Sequence, residues 1–397
     1  MLRNYGKRVA IVISLVVLGC VTLAVEDTKA EDNFSVVLLP DTQNYAEKFP
    51  DTYVAQTLWI REHRKENNIK FVIHLGDIVQ TPTNKLEWEN ADRAMRLLDG
   101  VVPYSVAPGN HDMVVKNRDS SLYNQFFSPA RFANRPWYGG HMDENNDNNF
   151  CLFEACGMKF MVINLEFAPR DETLKWASGV ARRHPEHRVI VATHCYMRPG
   201  KRDTGCATSY NIAGNSGEQI WQKLIRKEPN VFLVVSGHVL GVGLQTSTND
   251  AGGKVLEMLT DYQGLPNGGD GWLRSLQFVP GENKIHIKTY SPLLDKQNMD
   301  VKETFTVDYD MTLAKQTLVA PKGTLVLGPD RGIDSQHRCW AIQRCRCKPM
   351  RKPSRIVSAI RAANRSSDNH TTAFGRRGCS DAPIDAFPRH FPIGSNG

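Results

Sequence analysis

Five apolar runs in the first two thirds of the chain each end in polar residues of metal-ligating type. Val36-Val37-Leu38-Leu39, Phe71-Val72-Ile73, Tyr104-Ser105-Val106, Val189-Ile190-Val191 and Val231-Phe232-Leu233-Val234-Val235 read as short buried strands. Between the first two runs, residues 52–67 carry Val54, Leu58 and Trp59 at helical spacing. Residues 86–98 repeat this with Trp88, Ala91, Met95 and Leu98. Residues 121–127, 173–183 and 218–227 predict further helices. Residues 150–166 predict two strands joined at Cys156-Gly157, a hairpin signal. Beyond His238 the pattern changes to short strands at 255–260, 272–279 and 284–290, broken by Gly and Pro, with a turn at Gly281-Glu282-Asn283. Residues 305–309 and 324–327 are candidate last strands. Alternating strands and helices predict an α/β fold with helical covering. The closing meander predicts a second sheet packed on the first. The expectation is therefore one domain, residues 31–330: a four-layer αββα sandwich of two mixed sheets flanked by helices. Its site should lie at strand C-terminal ends, where open α/β sheets bind ligands.

Charge changes this picture mainly at the ends. The formal net charge is +7, but residues 331–397 hold 13 Lys+Arg against 4 Asp+Glu. The rest of the chain then holds 49 − 13 = 36 basic and 42 − 4 = 38 acidic residues, close to neutral. No specific nucleic-acid binding is expected from such a balance. The basic segment has few periodic apolar positions and reads as a disordered tail. An adhesive role for it on anionic polymers or membranes is the rival reading. At the other end, Arg3, Lys7 and Arg8 precede an apolar stretch, residues 9–25, and Ala30 precedes Glu31 and Asp32. This is the pattern of a secretory signal peptide over residues 1–30. An uncleaved membrane tether and lipid attachment at Cys20 are the alternatives, and all three predict an exported protein. In that compartment Cys151 with Cys156, and Cys195 with Cys206, are candidate disulfides or buried thiols.

The chemistry sits at the strand exits: Asp41-Thr42-Gln43, Gly76-Asp77, Gly109-Asn110-His111-Asp112, Thr193-His194 and Gly237-His238. Taken singly, an Asp here reads as a turn or cap, Asn110 as a turn residue and each His as a core or loop residue. Taken together, the segments resemble the calcineurin-like metallophosphoesterases, whose pattern is Asp-x-His, Gly-Asp, Gly-Asn-His-Asp/Glu, His and Gly-His-x-His. The resemblance covers roughly residues 35–292. Leu39-Pro40-Asp41-Thr42-Gln43, Asp261-Tyr262-Gln263 and residues 268–274 look like a secreted bacterial branch of that family.

The resemblance implies hydrolysis of a phosphomonoester or phosphodiester by a metal-activated water. Two divalent ions about 3.5–4 Å apart can hold the ester, activate water and stabilise the leaving oxygen. By resemblance Asp77 bridges them, one metal adds Asp41 and Gln43, and the other adds Asn110, His194 and His238. Mixed oxygen and imidazole ligands suit Mn, Fe or Zn. His111 would assist the leaving group, and Asp112 would hold the loop or the imidazole. Gln80 is a further supporting candidate. Two departures fall on the first metal: Gln43 stands where His is usual, and Leu240 replaces the last His of the pattern. One tight and one weak site are expected. A degenerate domain that binds phosphorylated ligands without turnover is the alternative function. Arg198, with Tyr196, Lys201 and Arg202 near it, and Arg274 after a Gly-rich stretch are candidate phosphate-binding residues. Each is also readable as a solvated cation. Glu166 reads as a surface acid and His74 as structural.

Overall fold

The computed structural model describes residues 32–312. The N-terminal address, the candidate strand at 324–327 and the basic tail lie outside the described residues. Among the described residues no helix is long and apolar enough to cross a membrane.

Phe34–Leu39, Ile69–His74 and Tyr104–Ser105 lie side by side and parallel. Helix Pro50–His63 connects the first pair and helix Lys85–Met95 lies between the second pair. Proline opens the first helix, where its missing N–H costs nothing. Asn84 caps the second, its Oδ1 accepting from the Leu86 N–H at 3.2 Å. Phe34–Leu39 is buried throughout because both of its faces are covered. Val36 and Leu38 face the second sheet, packing in one cluster with Phe153, Phe160 and Val162. Val37 and Leu39 face the helices, with Tyr53, Ile60 and Trp88.

The second sheet runs in the order Gly241–Thr248, Lys254–Asp261, Val231–Ser236, Arg188–Thr193, Met158–Leu165, Asn149–Ala155, Tyr138–His141. Helices Asp171–Arg183 and Gly217–Lys223 cover its outer face through Leu174, Ala177, Val180 and Ile220. The expected four-layer αββα sandwich is the fold observed. Of the closing meander, only Lys254–Asp261 lies in the second sheet as expected. Leu273–Val279 pairs antiparallel with Phe34–Leu39 and Lys284–Ser291 follows it, so both extend the first sheet. The rest of the second sheet comes from the middle of the chain. The strands Tyr138–His141, Met197–Arg198, Lys201–Arg202, Gly241–Thr248 and Lys296–Asn298 carry little apolar pattern and were not expected.

Aromatic rings fill the space between the sheets. Phe160 has its ring centroid 5.1 Å from Phe34, 5.1 Å from Phe153 and 6.0 Å from Phe278. A Phe160→Ala substitution should destabilise the domain by about 3–5 kcal/mol, as large cavities in cores do. Urea denaturation of the two proteins measures it.

Candidate metal centre

Each functional segment follows a strand into a tight turn. Asp77 and His238 both take left-handed backbone conformations, with φ of +50° and +71°. Such non-glycine residues cost on the order of 1–3 kcal/mol and cluster at functional sites. The motif glycines are needed for close approach. A Cβ on Gly109 would sit 2.1 Å from Asp77 Oδ1, and one on Gly237 would sit 2.0 Å from Asp41 Oδ1.

His194 is the centre of the cluster and is fully buried. Its Nδ1 lies 2.9 Å from the Leu75 carbonyl, so Nδ1 carries the proton and donates it. Nε2 is turned toward Asp77 Oδ2 at 3.1 Å, Asn110 Oδ1 at 3.1 Å and His238 Nδ1 at 3.3 Å. Burial opposes charge on His194, but Asp77 and Asp41 outweigh it and raise the imidazole to about 10. Burial likewise opposes the charge on Asp77, yet His194 and then His111 hold it down at about 2. His238 moves the other way, to about 4, through burial and then the charge on His194. Phe167 packs against both imidazoles, 6.0 Å from the His194 ring and 5.5 Å from the His238 ring.

Asp41 and Gln43 lie beside this group, both buried. Asp41 Oδ2 accepts the His238 N–H at 2.9 Å. Asp41 Oδ1 and Gln43 Oε1 have no hydrogen-bond partner. Burial and then the nearby carboxylate of Asp261 raise Asp41 above the ordinary range. Orphaned buried oxygens are rare. Carboxylates, an amide oxygen and imidazoles within reach of one another are what a divalent ion of the Mn, Fe or Zn type binds. The donor set therefore fits a metal centre. The ligand atoms of Asp77, His194 and His238 lie within 4.8 Å of one another.

The family model for calcineurin-like phosphoesterases matches residues 34–241 of this chain. The chain belongs to the calcineurin-like phosphoesterase family. The chain is also 35% identical over 286 residues to the uncharacterized protein YvnB of Bacillus subtilis (strain 168). That match takes in 70% of this chain but only 21% of the relative's length. Among solved structures, the purple acid phosphatase PPD1 from yellow lupin seeds is similar at 13% identity and a TM-score of 0.47, covering 71% of this chain and 55% of that one. The Plasmodium inner-membrane-complex anchor GAP50 is similar at 13% identity and a TM-score of 0.40, covering 70% and 89%.

Within this calcineurin-like phosphoesterase, some sequence expectations hold and others need correcting. Of the two roles expected of Asp112, holding the loop or the imidazole, its hydrogen bonds serve the loop. Asp112 is buried, and its carboxylate accepts the N–H groups of Ile78, Val79 and Gly109 at 2.8, 3.0 and 2.8 Å. It pins two motif loops together and is a positioning residue. Burial and then Asp77 push it up to about 7. His111 is oriented by a backbone atom: its Nδ1 lies 2.7 Å from the Gln80 carbonyl, and the Gln80 side chain is not involved in that bond. Arg274 is 1% exposed and ion-paired with Glu303, beside Thr260, Thr289 and Tyr262, so it is a buried core residue. Arg202 binds the buried Glu257 and lies over Trp221, and Tyr196 also donates to Glu257, so both brace the fold. Arg198 is half exposed, with Nε on Asp203 at 2.6 Å. Glu166 is not a surface acid, being buried against Arg118 and Thr173. His74 is structural as expected, buried and 2.9 Å from the Thr42 hydroxyl. No disulfide joins Cys151 to Cys156 or Cys195 to Cys206.

Sequence reasoning missed Gln263 as a site residue, although it touches Asp41 at 3.3 Å. A signal was present: Asp261 ends an apolar strand, as Asp41 and Asp77 do.

Proposed function

We propose that this chain is an exported metal-dependent phosphoesterase that hydrolyses a phosphomonoester or phosphodiester. The observation that carries the reading is the convergence of Asp77, Asn110 and His238 on Nε2 of His194 within 3.1–3.3 Å, beside the orphaned oxygens of Asp41 and Gln43. In this reading Asp77, Asn110, His194 and His238 hold the tighter ion, and Asp77, Asp41 and Gln43 the weaker one. Bound divalent ions supply Lewis acidity toward the phosphoryl oxygens and make water nucleophilic at neutral pH. The rest of the chemistry belongs to the protein. His111 donates Nδ1–H to the Gln80 carbonyl, which leaves Nε2 to deliver a proton to the departing oxygen. Its backbone N–H donates to Asp77 Oδ1 at 2.9 Å, which ties the acid to a carboxylate that would hold metal. Phe167 supplies an apolar wall that strengthens electrostatic interactions nearby. Arg198 is the candidate for holding a phosphate oxygen. The basic, apolar and small residues ahead of Glu31 support export.

The test is turnover of an aryl phosphate and an aryl phosphodiester by Mn-loaded protein, with loss on chelation. Full Mn occupancy without hydrolysis of either, or of a broad panel of natural phosphoesters, would favour the non-catalytic binding domain. Gln43→His replaces a neutral amide oxygen with an imidazole. It should tighten the weaker Mn binding by about tenfold, about 1.4 kcal/mol, in a calorimetric titration.

A further inference from the structure

The weaker metal is short of ligands. Gln43 is neutral, and Leu240 at the last motif position offers nothing and is 51% exposed. Asp261 lies next to this deficit. It ends the strand Lys254–Asp261, is fully buried, and stands beyond residue 241, where the family match stops. Gln263 links it to the site. The Gln263 side-chain amide donates to Asp261 Oδ2 at 3.0 Å, to Asp41 Oδ2 at 3.3 Å and to the His238 carbonyl at 3.4 Å. Gln263 is itself fixed. Its backbone N–H donates to Asp261 Oδ1 at 2.8 Å, and its carbonyl accepts from Asn44 Nδ2 at 3.0 Å.

The result is a directional arrangement. Asp41 Oδ2 receives two donors, the His238 N–H and the Gln263 amide. Asp41 Oδ1, equally buried, receives none. One oxygen is thus used to orient the carboxylate while the other is kept for a cation. Partners behind a ligand commonly fix it in this way and tune the metal. The Asp261 carboxylate also adds a negative charge within one amide of Asp41, which favours a dication more strongly in a buried site than in water.

We propose that Asp261 and Gln263 are positioning residues of the weaker metal, supplying the order and charge that the missing histidine does not. This rests on the two-metal reading above. Asp261 acts through Gln263, and Gln263 acts through Asp41.

The experiment is calorimetric titration of the metal-free full chain with Mn²⁺, comparing wild type, Asp261→Asn and Gln263→Met. Wild type should show two binding events. Each variant should weaken the weaker event by about 10–100-fold, the usual cost of losing such a partner, and leave the tighter event unchanged. The tighter event reports on His194 and His238 and serves as an internal control for folding. Two unchanged events in both variants would overturn the proposal. So would equal loss of both events in both variants, because a positioning role at one metal spares the other. A wild-type chain that binds no Mn would overturn the two-metal reading itself, which is a different failure.

Discussion

Asp77→Asn is expected to lose both metal and turnover while keeping the fold. The side chain sits where four motifs meet. Oδ2 is 3.1 Å from His194 Nε2, and Oδ1 accepts the His111 N–H at 2.9 Å. Asparagine matches the shape and tolerates the left-handed conformation that Asp77 adopts. What it removes is the charge, in a buried site where charge interactions are strong. It also replaces one carboxylate oxygen with an NH₂ group that cannot bind a cation. As the proposed bridge, Asp77 serves both ions, so neither is spared. Loss of the metal's several kcal/mol of transition-state stabilisation corresponds to roughly 10³-fold or more in rate. Metal content by mass spectrometry and phosphodiester turnover measure the two effects. Wild-type metal content in Asp77→Asn would remove Asp77 from the ligand set.

His111→Ala should behave differently. The imidazole is half-buried, and its Nδ1 is committed to the Gln80 carbonyl. No ligand atom of the cluster depends on the ring, because Asp77 is held by the His111 backbone N–H. Metal content should therefore stay at the wild-type level. Turnover should fall by about 10²–10⁴-fold, the usual contribution of a positioned general acid. The loss should be largest for alkyl esters, whose leaving oxygen needs a proton, and smaller for nitrophenyl esters, whose leaving group departs as an anion. Wild-type turnover of an alkyl ester by His111→Ala would end its assignment as the acid.

Much of the fold was legible because parallel strands covered on both faces give unbroken apolar runs, as in Val231–Ser236 and Phe34–Leu39. Gly241–Thr248 carries little hydrophobic signal, because this edge strand has only Val242 and Leu244 among Gly, Gln, Ser and Thr. The closing meander was readable as strands but not as partners of the first strand. The pairing of Phe34 with Phe278 is long-range, and local pattern does not encode it. At the site, side-chain ligand types were legible from motifs. The supports were not: the Gln80 carbonyl that orients His111 and the Leu75 carbonyl that orients His194 are backbone atoms, available at any residue. Arg274 was misread for a related reason, since Glu303, which neutralises it, comes from a distant part of the chain.

The most direct measurement is anomalous diffraction from crystals of the Mn-loaded chain. Two peaks about 3.5–4 Å apart, joined by Asp77, are predicted. One should be within bonding distance of Asn110, His194 and His238, and the other of Asp41. Manganese bound elsewhere, for instance between Cys195, Cys206 and His238, or absent from Asp77 altogether, would contradict it.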